Sequence, residues 1–72
     1  MKKVIYMKFF ENGEMTKSEK VCNDFDDLAK TYDECVDDFC SVCKKYGQFS
    51  EEDLYCAEGN ALGVTYKVLV VE

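Results

Sequence analysis

Seven carboxylates between Asp24 and Asp38, and five cysteines that include a Cys40-Ser41-Val42-Cys43 motif, are the residues whose types and spacing could do chemistry. Paired carboxylates can exchange protons when an apolar pocket raises one pKa. A CxxC can be a redox couple when a helix start stabilises its thiolate, or half of a zinc site when a second ligand pair exists. Neither condition is met by the sequence. The acids fall on a solvent-facing pattern, and the CxxC falls in the last turns of the expected helix, the wrong end for a thiolate. Cys22, Cys35 and Cys56 lack the spacing of a second pair. There is no histidine to serve as a base for Ser41, Ser50 or a cysteine. Gly59-Asn60-Ala61-Leu62-Gly63 has no lysine with which to hold phosphate. The expectation is a binding protein rather than an enzyme, with no metal and no cofactor, its cysteines serving mainly as small hydrophobes.

Those acids need an element to hold them, and residues 24–46 read as one long amphipathic helix. Asn23 or Asp24 can cap its start, and Phe25, Leu28, Tyr32, Cys35, Val36, Phe39, Val42, Cys43 and Tyr46 recur at a spacing of three to four. Lys44 and Lys45 suit its last turn and Gly47 its end, giving a rod about 35 Å long. With Phe25, Tyr32, Phe39 and Tyr46 turned to a sheet, Asp26, Asp33 and Asp37 form one outer row, and Asp27, Glu34 and Asp38 a second. Like charges four apart disfavour a helix, and aspartate is a poor helix former, so a helix built only for stability would carry Glu/Lys pairs here. These six acids are the candidate partner-binding face; a merely solvated surface is the competing reading.

The sheet is read from the chain's two ends. Residues 3–10 are β-branched and aromatic, and Asn12-Gly13 suits a two-residue hairpin that would pair Phe10 with Met15 and Tyr6 with Glu19. Val64 to Val71 reads as the last strand. Both strands are apolar on both sides, so a face left bare by one helix would meet another chain. Tyr6, Phe10 and Met15 are the residues expected there, as a second interface. Residues 50–62 read as a short helix starting at Ser50-Glu51-Glu52-Asp53, or alternatively as a strand turned by Gly59-Asn60 into the last one. The fold expected is α+β: one domain over residues 1–72, with a small antiparallel-rich sheet of three, possibly four, strands and one long helix on a face, in the order ββα(α)β.

Charge narrows the partner. The net charge of −6 divides into +2 over residues 1–22 and −8 over residues 23–72. That balance argues against direct contact with nucleic acid or an anionic membrane and favours a basic protein. No apolar stretch approaches the ~20 residues of a membrane span. Met1-Lys2-Lys3 opens no secretory signal, because Lys8 breaks the apolar run that follows. An odd number of cysteines suits reduced thiols, and the setting expected is the cytoplasm.

At Lys3-Val4-Ile5-Tyr6-Met7, Phe10, Asn12 and Met15 the chain resembles the opening of the Dmd antitoxins, small acidic proteins with which some phages neutralise host ribonuclease toxins. The likeness covers roughly the first fifth of the chain and continues only as an order of hairpin, then acidic helix. The plan of a very short acidic chain is also similar to that of anti-CRISPR proteins. The resemblance implies a counter-defence inhibitor that blocks a basic, nucleic-acid-handling host protein of the nuclease, toxin or CRISPR-effector class, in the host cytoplasm if phage-encoded. It carries no functional residue across. The alternative is an oligomerisation module that forms a homodimer through the uncovered sheet face.

Overall fold

The computed structural model describes residues 2–72. Lys2–Phe10 (β1) and Met15–Cys22 (β2) form the opening hairpin, followed by helices Phe25–Asp37 (α1) and Cys40–Tyr46 (α2). Gly47–Glu52 (β3), Cys56–Ala61 (β4) and Val64–Val71 (β5) follow. The five strands make one antiparallel sheet in the order β2-β1-β5-β4-β3. The expected order ββα(α)β, with three or four strands and one unbroken helix, is therefore wrong: the order is ββααβββ.

The extra strands come from residues 47–61. Of the two readings of residues 50–62, the short helix does not form and the strand does, as Cys56–Ala61 rather than from Leu54. Glu51 and Glu52, which read as a helix start, instead end β3. Asp53 turns the chain with φ 45°, and the Tyr55 N–H donates to the Glu52 carbonyl at 3.0 Å. Gly47 does end α2, though with extended rather than left-handed backbone. It enters β3 so close to β4 that a Cβ would collide with the Asn60 carbonyl. The turn into β5 is Leu62-Gly63, with φ 53° and 81°, rather than Gly59-Asn60, which lies within β4. Leu62 holds this left-handed conformation while 73% exposed, where leucine gains little from burial and asparagine is better suited. Leu62→Asn should stabilise the fold by about 1 kcal/mol. In thermal melts followed by far-ultraviolet circular dichroism, that is a midpoint about 4–8 °C higher.

The helix breaks at Asp38 and Phe39 for a geometric reason. A seven-residue repeat drifts by about 20° per heptad on a straight helix, so Phe25, Tyr32, Phe39 and Tyr46 would spread over about 60°. The break lets α1 lie over β1, β2 and β5 while α2 turns to cover β3 and β4. Phe39, with φ −128°, drops into the sheet at the bend, and its N–H donates to the Val36 carbonyl at 3.1 Å. Its ring stacks on Tyr66 at a centroid distance of 5.0 Å and on Tyr6 at 5.8 Å. Phe25 and Tyr46, expected to face the sheet, are 64% and 55% exposed.

The opening hairpin differs by one residue from the expected pairing. The Gly13 N–H donates to the Phe10 carbonyl, and the Phe10 N–H to the Glu14 carbonyl, so three residues rather than two make the loop, with Gly13 at φ 88°. Phe9 therefore pairs with Met15, and Tyr6 with Ser18. A slip of one residue exchanges the faces of a strand. Val4, Tyr6, Lys8 and Phe10 share the helix-covered face with Val68, Tyr66, Ala57 and Phe49, while Ile5, Met7 and Phe9 share the open face with Met15, Val21 and Leu69. The core lies between the covered face and the helices: Val4, Cys22, Leu28, Tyr32, Val36, Phe39, Cys43, Ala57, Ala61 and Val68.

Candidate protein-binding surfaces

Asp24 caps α1, its carboxylate accepting from the Asp27 N–H at 2.8 Å. The buried stripe Leu28, Thr31, Tyr32 and Val36 then fixes how the helix is rotated. On that rotation the two acidic rows take different roles. Asp27 accepts from the Asn23 N–H at 3.4 Å and faces Lys20 at 3.8 Å. Asp38, at the bend, accepts from the Tyr6 hydroxyl at 2.5 Å and faces Lys8 at 3.5 Å. Both acids, expected to be free for a partner, help hold the helices to β1 and β2. Asp26, Asp33, Glu34 and Asp37 are exposed and, among the described residues, form no ion pair.

Tyr6 has left the second interface expected for it. It is half-buried beneath the bend, and burial, then the Asp38 carboxylate, raise its pKa. Burial and the nearby Glu51 carboxylate raise that of Tyr32. Both stay protonated at neutral pH. A hydroxyl that must remain neutral stabilises the fold fully below the ordinary tyrosine value of about 10 and progressively less as pH rises above it. Tyr6→Phe should lower stability at pH 7 by about 0.5–1.5 kcal/mol and make alkaline unfolding above about pH 10 less steep. Urea titrations across that range would measure both effects.

Phe10 is also on the covered face. Only Met15 of the expected trio reaches the open one, where it is 50% exposed. The residues that line the open face were not singled out from the sequence: Ile5, Met7 and Phe9 on β1, Val21 on β2, and Leu69 and Val71 on β5. Their signal is the two-residue alternation along β1 and β5, which a wrong loop length assigned to the wrong neighbours. Lys3 and Lys17 pair with Glu19 at 2.7 and 3.2 Å on this face, and Lys67 approaches Glu58 at 4.0 Å. The two lysines hold the Glu19 carboxyl below the usual carboxylate range.

The helix break places the CxxC at the start of α2 rather than in the last turns of a longer helix. Cys43 packs in the core, where burial pushes its thiol pKa up, as it does for Cys35 and Cys56. Raised thiol pKa values mean less nucleophilic cysteines. Among the described residues no group of three or more histidines, cysteines or acids is placed to hold a metal ion. No helix among them is long and apolar enough to cross a membrane. No protein-family model, curated protein or solved structure matches the chain.

Proposed function

We propose that this is a non-catalytic binding protein that presents Asp26, Asp33 and Asp37, with Glu34 at their flank, to a lysine- and arginine-rich protein surface. The observation that carries the reading is the division of labour on α1. Tyr32 and Val36 are locked into the core on one side, and four carboxylates with no ion-pair partner among the described residues stand on exposed positions of the same helix. A rigid row of charges loses little entropy on docking and keeps its spacing. Such a row competes with phosphate for a basic groove, so the protein is read as an inhibitor that occludes a nucleic-acid-handling target, in the manner of phage counter-defence proteins. Reduced cysteines fit the cytoplasmic setting this implies.

The test is capture from a bacterial lysate on immobilised protein at low and high salt, beside an Asp26→Lys/Asp33→Lys/Asp37→Lys variant. The reading requires a basic partner that is released by salt and lost with the variant. A partner held equally well by the variant would refute it.

A further inference from the structure

We propose that the open face of the sheet is the contact surface between two copies of this chain. Both helices lie on the other face, so among the described residues nothing covers Ile5, Met7, Phe9, Met15, Leu69 and Val71. Three observations select a second copy as the occupant.

The first is charge. The face carries Lys3, Lys17 and Lys67 against Glu19, Glu52 and Glu58, and is neutral. The remaining six lysines and twelve acids hold the whole net charge of −6 elsewhere. Two strongly acidic chains repel on most approaches; through this face they meet without net repulsion and keep their acidic helices far apart.

The second is area. The molecule measures 34 by 23 Å along its two longer axes, an outline of about 780 Å² that bounds its broad sides and is of the order of the ~800 Å² each partner buries in a standard specific interface.

The third is self-complementarity. Across the sheet, Lys17, Met7, Lys67 and Glu58 lie in one row, and Glu19, Ile5, Leu69 and Cys56 in the next. A twofold axis parallel to the strands, between β1 and β5, sets Lys17 against Glu58 of the partner subunit and Ile5 against the partner's Leu69. Each contact then occurs twice, as an isologous interface requires. Sheets packed in this way lie ~10 Å apart.

Sedimentation equilibrium on the whole chain tests the proposal. The expected mass is twice the 8.3 kDa of the chain, and it should persist at about 0.5 M salt, where screening weakens repulsion between the acidic helices. Leu69→Lys should weaken the dimer by roughly 100-fold or more, because it buries an unpaired charge. Circular dichroism of this variant at low concentration reports whether the chain still folds. Lys17→Glu should also weaken the dimer, and adding Glu58→Lys should restore it. In one chain these residues are separated by β1 and β5, so rescue requires two copies facing each other. A folded chain that stays monomeric up to about 0.5 mM, or that sediments with neutral lipid vesicles instead of self-associating, overturns the proposal. So does a dimer indifferent to Leu69→Lys, or a charge swap without rescue. The Asp26→Lys/Asp33→Lys/Asp37→Lys variant should dimerise normally, which separates this surface from the acidic one.

Discussion

Phe39→Ala is expected to destabilise the protein by about 3–5 kcal/mol, the range for removing a large buried aromatic side chain. The ring is 0% exposed and sits where both helices meet the sheet, stacked on Tyr6 and Tyr66 and tilted against Phe49. Its loss removes the aromatic contacts to three strands at once and leaves a cavity under a helix break that cannot close without moving both helices. A domain of this size has roughly 4–11 kcal/mol of total stability, so the alanine variant should lie near the edge of folding. Phe39→Leu keeps much of the volume and forfeits the stacking, each aromatic pair contributing about 0.5–1.5 kcal/mol beyond burial. Urea unfolding followed by circular dichroism should therefore rank the midpoints wild type, leucine, alanine. An alanine variant within about 1 kcal/mol of wild type would show that Phe39 does not organise the bend.

The second large effect concerns binding. Reversing Asp26, Asp33 and Asp37 to lysine takes the net charge from −6 to zero. Each exposed ion pair contributes up to about 1 kcal/mol, and reversal adds repulsion to its loss. Three reversals should therefore weaken a charge-led complex by about 2–4 kcal/mol, or roughly 30- to 700-fold in dissociation constant. Isothermal titration with the captured partner measures this directly. Asp27 and Asp38 make poor test positions, since changing them disturbs Lys20, Lys8 and Tyr6 and confuses a stability loss with a binding loss.

How far the sequence could be read depended on the range of the interactions involved. Capping by Asp24, the rotation of α1 and the exposure of Asp26, Asp33 and Asp37 are local, and three-to-four periodicity reveals them. The break at Asp38 is different. It arises because a five-stranded sheet is wider than one helix can cover, and that width comes from β3 and β4, where residues 50–62 read as a short helix or a strand. Acids at 51–53 favour a helix start and a strand-ending turn alike, and only pairing with β5 decides between them. The hairpin loop is a smaller difference with a larger consequence. Asn12-Gly13 marks a turn, but a loop of two residues and a loop of three share that signal, and the extra residue moved Tyr6 and Phe10 beneath the helices.

The position of β5 has a consequence for how the molecule is made. Val64–Val71 lies in the middle of the sheet, with β1 on one side and β4 on the other. The hairpins β1–β2 and β3–β4 can form early, but a lone two-stranded ribbon is marginal in water. During synthesis the wedge that joins them is the last of the strands to emerge from the ribosome. Until it inserts, Ile5, Met7 and Phe9 have bare strand edges beside them, open to chaperones, proteases and neighbouring nascent chains. Cutting the chain before Val64 would not trim a border. It would split the molecule down its midline.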